Sequence, residues 1–130
     1  MPGTDDISPA LQDYLELILT LSKERGSARV TDIAGSLSNA KPSVTQALNH
    51  LKSHGFVEKE PYSPVKLTSK GLRYAARIRY RHTVLHEFLV TVLKVDEETA
   101  EADACRMEHV LSEQTMEHLI AFANRWSSTS

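Results

Sequence analysis

The chain has 130 residues, of which 41% are hydrophobic and 25% are charged, a composition typical of one compact globular domain or two small ones. No apolar run is long enough to span a membrane, and the N-terminus lacks the basic and then apolar pattern of a signal peptide, so we expect no membrane association and a cytoplasmic location. The single cysteine, Cys105, cannot form an internal disulfide and is available as a thiolate ligand or a small hydrophobic residue.

The formal net charge of −2 conceals an uneven distribution along the chain. Residues 1–40 carry a net charge of −3, residues 41–81 carry +7 and residues 82–130 carry −6. The basic middle segment indicates a surface for a polyanion, and the acidic last segment indicates one that could hold cations, although solvated charges alone would give the same totals.

The N-terminal half has the pattern of a winged helix-turn-helix. Ser8 and Pro9 begin a helix that ends near Gly26, and two further helices are predicted over residues 30–37, with Thr31 as N-cap, and 41–55. Their close succession predicts a helix-turn-helix. Two β-compatible runs, residues 56–60 and 65–68, flank two prolines and predict a two-stranded wing.

The remainder of the chain predicts only helices. A long helix begins at Thr68 or Ser69 and continues to Leu93, a second covers residues 95–112 with Asp96 as N-cap, and a third covers roughly residues 113–126. We therefore predict a mainly α fold with a winged helix-turn-helix domain over residues 1–70 and an α-helical domain over residues 71–130.

The second helix of the predicted helix-turn-helix carries side chains suited to DNA. Such a helix enters the major groove, where residues near its N-terminus contact base edges, and Gln46 is the best candidate because glutamine pairs bidentately with adenine. The other expected DNA contacts are Lys41, Pro42, Ser43, Thr45, Lys52, Lys59 and Lys66. Any one of the lysines could be a solvated surface charge, but their occurrence along a helix-turn-helix and wing predicts DNA binding.

One face of the predicted helix over residues 95–112 presents Cys105, Glu108 and His109. This face lies beside the apolar stripe of the same helix and not within it. The apolar stripe consists of Ala100, Ala104, Met107 and Leu111. A thiolate, a carboxylate and an imidazole together suit a divalent transition metal and disfavour calcium or magnesium.

Two other helices carry further candidate ligands. Asp13 and Glu16 are spaced i and i+3 on the first helix, and His82 and His86 are spaced i and i+4 on the long helix, which lets two imidazoles reach one ion. Each of these residues is also compatible with an ordinary structural or solvated role. The chain has no His-Glu-x-x-His motif, Gly-rich phosphate loop or Gly-x-Ser-x-Gly elbow, so we do not expect an enzyme.

The sequence resembles the metal-dependent repressors of the diphtheria-toxin-repressor and manganese-transport-regulator type. The resemblance extends from about Ile7 to Trp126 and is carried by "ARVTDIAGSL", "PSVTQALNHL", "VKLTSKG", "YRHTVLHEFL" and, most specifically, "DACRMEHVLS". It implies a winged helix followed by a helical dimerisation and metal-binding domain, in the form without an SH3-like C-terminal domain. It further implies a homodimer that binds a palindromic double-stranded DNA operator with a divalent metal as corepressor.

The resemblance also implies a set of metal ligands. Its members are Asp13, Glu16, His82, Cys105, Glu108 and His109. The two carboxylates on the first helix match the manganese branch of the family, the cysteine matches the iron branch, and the other three residues match both. His86 and Glu101 occupy positions of an ancillary site, with their residue types exchanged relative to the iron branch.

This mixed ligand set leads us to expect Fe²⁺ slightly before Mn²⁺, with Zn²⁺, Co²⁺ or Ni²⁺ able to bind in vitro. The alternative function is a metal-independent winged-helix regulator that senses a small molecule or the oxidation of Cys105. That alternative predicts that a chelator leaves DNA binding intact.

Overall fold

The computed structural model describes residues 7–129, and the side chains of residues 7–126. The order of elements is α1 (Pro9–Arg25), α2 (Val30–Leu37), α3 (Lys41–Ser53), β1 (Val57–Glu58), β2 (Lys66–Leu67), α4 (Ser69–Glu87), a π-helical turn (Phe88–Val92), α5 (Glu97–Val110) and α6 (Glu113–Thr129). The two strands form an antiparallel hairpin. This architecture confirms the predicted mainly α fold with a helix-turn-helix and a two-stranded wing. None of the helices in the described part of the chain is long and apolar enough to cross a membrane.

The chain divides into two compact units, Pro2–Arg77 and Ile78–Ser130, and α4 begins in the first unit and ends in the second. Each unit has its own cluster of buried hydrophobic side chains. The assignment of separate functions to residues 1–70 and 71–130 stays a prediction.

In the first unit, the apolar faces of α1, α2 and α3 form one core. Leu15 and Ile18 of α1, Ile33 of α2 and Val44 and Leu51 of α3 are all fully buried. Ser8 caps the N-terminus of α1, because its side chain accepts a hydrogen bond from the backbone N–H of Leu11. The other two helices therefore hold α3 by its apolar side and leave its other side exposed.

The prediction that Thr31 caps α2 was wrong. The helix covers Val30–Leu37 as predicted, but its N-cap is Arg29, two residues before Thr31, and the N–H of Ile33 donates to the carbonyl of Arg29. A tertiary contact accounts for the difference, because the N–H of Val65 donates to the carbonyl of Ala28 at 2.7 Å. This pairing holds residue 28 extended, so that the chain can enter the helix directly after it.

The wing is shorter than predicted. Its register pairs Val57 with Leu67 and Glu58 with Lys66, and each strand has two residues. Pro61 and Pro64 lie between the strands, and a proline has no N–H to donate to a β ladder. The hydrogen-bonded ladder therefore ends after two residue pairs, and the residues with the two prolines form a loop.

The start of α4 packs closely on the residue that precedes the wing. Thr68 donates its N–H to the carbonyl of Phe56 and its hydroxyl to the carbonyl of Gly55, and its side chain accepts from the N–H of Gly71. A Cβ atom at Gly71 would overlap the backbone carbonyl of Phe56. Glycine is therefore required here by close packing between backbones and not by an unusual backbone angle.

The sequence predicted that the long helix α4 continues without interruption to Leu93, but in the structure its α-helical geometry ends earlier. Regular α geometry ends at Glu87, and Phe88–Val92 form a π-helical turn in which the N–H of Leu93 donates to the carbonyl of Phe88. Lys94 then adopts a left-handed φ of 62°. The N–H of Val95 closes the reversal by donating to the carbonyl of Leu89 at 2.9 Å.

The helix α5 begins where its cap predicts. The side chain of Asp96 accepts hydrogen bonds from the N–H of Thr99 and from its hydroxyl, at 3.0 and 2.8 Å. These bonds, with the backbone one foremost, lower the pKa of Asp96. Ala100 and Ala104 of α5 are then fully buried against Leu85 of α4, which turns the neighbouring polar face of α5 toward the side of α4.

Candidate metal centre and nucleic-acid interface

The C-terminal part of α4 faces α5 through pairs of histidines and carboxylates. Nε2 of His82 lies 3.1 Å from Oε1 of Glu101, and Nε2 of His86 lies 3.1 Å from Oε2 of Glu97. Nδ1 of His82 lies 2.8 Å from Oε1 of Glu108. As positions on α4 increase from 82 to 86, the partners of Nε2 on α5 decrease from 101 to 97, so the two helices are antiparallel along this face.

Within this face, three side chains of different chemistry come together. Among the residues that the structure describes, ligand atoms of His82, Cys105 and Glu108 all lie within 4.8 Å of one another. Glu108 is only 2% exposed, whereas Cys105 is exposed. The thiol thus lies at the open side of the cluster and beside the buried alanines of α5, as the offset from the apolar stripe predicted.

The electrostatics of the cluster favour a positive charge at its centre. Burial disfavours the protonated form of His82, but hydrogen bonds and the negative charges of Glu101 and Glu108 outweigh this effect and raise the pKa of His82 above its ordinary value of 6.5. A carboxylate as buried as Glu108 is costly unless a cation or a hydrogen-bond donor faces it. His82 provides that partner through its ring N–H or its positive charge.

The same donor set fits a divalent transition metal. Bonds from such a metal to histidine nitrogen, carboxylate oxygen and thiolate sulfur are about 2.0–2.3 Å. Two ligands of one ion therefore lie within about twice that distance of each other, and the three ligand atoms here lie within 4.8 Å of one another. A thiolate among the donors disfavours calcium and magnesium, which prefer oxygen ligands. Glu101, which also contacts His82, is placed to accept a hydrogen bond from a ring nitrogen that does not hold the metal.

The other predicted ligands have different positions. His109 follows Glu108 on α5 and is half-buried, but it does not belong to the group of three. Asp13 and Glu16 lie on α1 in the first unit, the former exposed and the latter half-buried. The structure brings together His82, Cys105 and Glu108, while the membership of the other three residues in a metal site stays a prediction.

The residues of the predicted ancillary site, His82, His86 and Glu101, make contacts between α4 and α5, and their role as metal ligands stays a prediction. His86 contacts Glu97, and Glu101 contacts His82. The rings of His82 and His86 are stacked with their centroids 6.4 Å apart. Sequence reasoning overlooked Glu97, although its i and i+4 spacing from Glu101 matches the spacing of the two histidines and could have indicated paired helix faces.

Arg81 holds the end of α5 next to this cluster. One terminal nitrogen of its guanidinium donates to the carbonyl of Leu111 at 2.9 Å, and the other lies 3.4 Å from a carboxylate oxygen of Glu113. Leu111 directly follows α5, whose last carbonyl groups have no partners within the helix. The contact therefore fixes the C-terminal turn of α5, which carries Glu108 and His109.

The face of α3 opposite the core presents the predicted DNA-contacting residues. Val44, Leu48 and Leu51 are buried. The remaining positions of the predicted set on this helix are exposed: Lys41, Pro42, Ser43, Thr45, Gln46 and Lys52. The first turn of α3 is thus accessible to a major groove, as a recognition helix requires.

The wing adds two lysines beside α3. Lys66 is exposed and Lys59 is half-buried. Nζ of Lys52 donates to the carbonyl of Lys59 at 3.5 Å, so the end of α3 and the wing are in contact. A cleft of about 320 Å³ here is lined by the three lysines and by Glu58 and Glu60, among others.

Both halves of the chain match models of one protein family. Residues 6–65 match the N-terminal DNA binding domain of iron dependent repressors. Residues 68–128 match the metal binding and dimerisation domain of iron dependent repressors. The first match contains the helix-turn-helix and most of the wing, and the second contains the cluster of His82, Cys105 and Glu108.

Individual relatives agree with these matches. An uncharacterised HTH-type transcriptional regulator of Methanocaldococcus jannaschii is 38% identical over 121 residues, which cover 92% of this chain and 97% of that protein. The transcriptional regulator MntR of Salmonella typhimurium is 38% identical over 120 residues, which cover 92% of this chain and 76% of that protein. Both relatives are named as transcriptional regulators.

A solved structure has the same fold. It is a manganese-dependent transcriptional repressor in complex with manganese, and it matches with a TM-score of 0.77 and 25% identity over 88% of this chain and 52% of that chain. The chain thus spans about half the length of this solved repressor. Together, the two family models and the relatives show that the chain belongs to the iron-dependent repressor family of metal-dependent transcriptional repressors.

Proposed function

We propose that this protein represses transcription as a cytoplasmic homodimer that binds a palindromic double-stranded DNA operator when a divalent metal, Fe²⁺ or Mn²⁺, acts as corepressor. The observation that carries the metal dependence is the cluster of His82, Cys105 and Glu108, whose ligand atoms lie within 4.8 Å of one another. The exposed first turn of α3 supports the DNA-binding part of the proposal.

The proposed ligand set is larger than the cluster. His82, Cys105 and Glu108 form its centre, and His109, Asp13 and Glu16 are added on the family resemblance. His86 and Glu101 are proposed as the ancillary positions. In this scheme Glu101 also accepts a hydrogen bond from His82 and thereby fixes the orientation of its ring.

The residues of the cluster are suited to exchanging protons for a metal. Two carboxylates that face His82 raise its pKa, and a protonated ring must release its proton before that nitrogen can bind an ion. Cys105 must release its thiol proton for the same reason. When bound, a divalent metal supplies the positive charge that balances Glu108 and the thiolate.

DNA recognition is proposed to divide between α3 and the wing. Gln46 is proposed to contact a base edge in the major groove, with Lys41, Ser43 and Thr45 at bases or phosphates near it. Lys52, Lys59 and Lys66 are proposed to contact phosphates, which contribute affinity and salt dependence but little sequence information.

The test measures DNA affinity with and without metal. An operator is first selected from a random-sequence duplex library with the anaerobic protein and Fe²⁺ or Mn²⁺, and binding is then measured before and after addition of a chelator. We expect the chelator to weaken binding by roughly ten-fold or more, the usual size of allosteric coupling. Glu108→Gln should abolish this response, whereas His118→Gln, on the exposed side of α6, should retain it.

Equal affinity before and after chelation would refute the corepressor role. That result would support the metal-independent regulator, for which oxidation of Cys105 or a small molecule would control binding.

Metal identity is tested at Cys105. The thiolate favours Fe²⁺ and the carboxylates favour Mn²⁺, while the general order of metal affinities would not by itself select either ion. We expect Cys105→Glu to raise the ratio of activation by Mn²⁺ to activation by Fe²⁺ about ten-fold, the size of effect typical of changes near a metal. An unchanged ratio in DNA-binding titrations would contradict the role of the thiolate in selecting the metal.

A further inference from the structure

We propose that Tyr14 is a positioning residue, which joins the turn of α1 that carries Asp13 and Glu16 to the start of α3 through its hydrogen bond with Asn39. The inference rests on the proposed metal-dependent DNA binding and deepens it, because it names side chains that carry the effect of the metal to α3. Tyr14 itself contacts neither the metal nor DNA in this scheme. All of these residues lie in the first unit, Pro2–Arg77.

The first observation is the hydrogen bond itself. Nδ2 of Asn39 donates to the hydroxyl oxygen of Tyr14 at 3.0 Å. The ring of Tyr14 belongs to the core of the first unit and is only 7% exposed, whereas Asn39 is exposed. A ring in a close-packed core cannot leave its position without opening a cavity, so the hydroxyl is held in a fixed place. The bond therefore anchors an exposed turn to the core.

The second observation is the place of Asn39 in the chain. It lies in the turn between α2 and α3, directly before Ala40, the N-cap residue of α3. Alanine has no side-chain acceptor, and Ala40 makes no side-chain capping bond. The backbone N–H of Asn39 donates to the carbonyl of Ala34 at 3.1 Å. The backbone thus ties Asn39 to α2 and its side chain ties it to α1, so both helices position the start of α3.

The third observation is the place of Tyr14 on α1. Asp13 precedes it directly and Glu16 follows two residues later, so the three residues lie within about 4.5 Å along the helix axis. Backbone hydrogen bonds between successive turns make such a segment move as one body. A metal that binds the two carboxylates therefore restricts the motion of Tyr14 as well, and through its bond also that of Asn39.

The size of the effect follows from the kind of bond. An α3 whose first turn is already ordered pays less conformational entropy when it binds DNA, which makes metal and DNA binding cooperative. One neutral hydrogen bond changes an equilibrium constant by about five-fold. The apolar core that α1 shares with α3 remains when the bond is removed. We therefore expect a variant without the bond to keep its fold and to lose part of the cooperativity.

The first experiment needs no DNA. Amide hydrogen exchange over residues 38–47 is compared in the anaerobic full chain with and without saturating Mn²⁺. We expect Mn²⁺ to slow this exchange in wild type and Tyr14→Phe to lose most of the slowing, because local opening of the turn is then no longer restrained from α1. Calorimetry should show the same Mn²⁺ affinity for both proteins.

Tyr74→Phe is the matched control in this experiment. Its hydroxyl also contacts the first part of α1, since Nε2 of Gln12 donates to it at 3.4 Å, but it lies on α4 and not in the turn before α3. We expect Tyr74→Phe to retain the slowing of exchange by Mn²⁺. Thermal unfolding with a chelator present verifies that both variants are folded.

The second experiment measures the ratio of operator affinity with Mn²⁺ to operator affinity with a chelator, on an operator selected with wild-type protein. We expect this ratio to be about five-fold smaller in Tyr14→Phe than in wild type. Asn39→Ala should reduce it similarly, and the double variant should lose no more than either single variant, because each substitution removes the same bond. Losses that add in the double variant would overturn the proposal, because the two side chains would then act independently.

The outcomes separate the inference from the function on which it rests. Wild-type protein that selects no operator, or binds one equally well with the chelator, would refute the proposed function itself. Metal-dependent binding in wild type together with an unchanged exchange response and affinity ratio in Tyr14→Phe would overturn only the role of Tyr14. Equal losses in Tyr14→Phe and Tyr74→Phe, or weaker Mn²⁺ binding by Tyr14→Phe without DNA, would also overturn it, because the bond to Asn39 would then not carry the effect.

Discussion

At the scale of single residues, helical periodicity alone predicted that Cys105 lies beside the core of α5. The structure agrees, because Ala104 is fully buried while Cys105 is exposed. Periodicity could not show which carboxylates face which histidines, since that depends on how far α4 and α5 are displaced along one another. For this reason Glu97, the partner of His86, was overlooked, and periodicity could not show that Glu101 contacts His82.

His82 leads to a prediction about pH and stability. Its pKa is raised above 6.5 in the folded chain, so the protonated ring stabilises the fold. This contribution is fully present below about pH 6.5 and is lost as the pH rises through the raised pKa. We expect the metal-free wild-type protein to lose stability relative to His82→Gln over that window, measured by thermal unfolding in the presence of a chelator.

Glu101→Gln provides the control for this assignment. Removing one of the two carboxylates that face His82 should lower its pKa toward the ordinary value and narrow the window in which stability changes. If wild type and His82→Gln had parallel stability profiles between about pH 5 and about pH 9, the proposed protonation of His82 would be ruled out.

At the scale of elements, local signals predicted boundaries wherever a side chain closes the end of a helix. Asp96 caps α5 as expected, and α1 begins at Ser8 and Pro9 as expected, with Ser8 as its cap. The errors occurred where distant contacts act. Ala28 pairs with Val65, and the N-cap of α2 is Arg29 instead of Thr31. No local pattern in residues 88–92 indicated the π-helical turn, in which the N–H of Leu93 donates to the carbonyl of Phe88.

Two glycines give a matched test of element packing. A Cβ at Gly71 would overlap the carbonyl of Phe56, whereas a Cβ at Gly35 would meet no atom within 4 Å. We expect Gly71→Ala to lower the free energy of unfolding by about 1–3 kcal/mol, because α4 must shift away from the residue before the wing. Gly35→Ala, within α2, should raise it by about 0.5–1 kcal/mol, because alanine favours helix more than glycine does.

Chemical denaturation of the two variants measures both changes. A Gly71→Ala protein as stable as wild type would contradict the close approach of α4 to Phe56. A gain in both variants would indicate that helix propensity, and not backbone packing, dominates at both positions.

At the scale of the whole molecule, the charge pattern along the chain follows the division into two units, which the total charge does not show. The segment with a net charge of +7, residues 41–81, contains α3, the wing and the first part of α4. The segment with −6, residues 82–130, begins at His82 and contains all of α5. The change of sign within α4 lies close to the division between the two units, after Arg77.

The fold class could be predicted because each element has its own signal: caps, helical spacing, and prolines between two β-compatible runs. The candidate site could be predicted only as residue types on separate helices, since three-dimensional proximity depends on packing between α4 and α5. Burial of Ala100 and Ala104 against Leu85 sets that packing. The pairing of Glu108 with His82 follows from it.

The antiparallel pairing of α4 with α5 also limits how this chain can change in length during evolution. An inserted residue between Leu93 and Asp96 leaves both helices intact and can preserve the pairs of His82 with Glu101 and of His86 with Glu97. An inserted residue between Glu101 and Cys105 would rotate everything after it by about 100°, turning Cys105 and Glu108 away from His82. We therefore expect selection to tolerate insertions and deletions in the reversal after the π-helical turn and to remove those in the middle of α5.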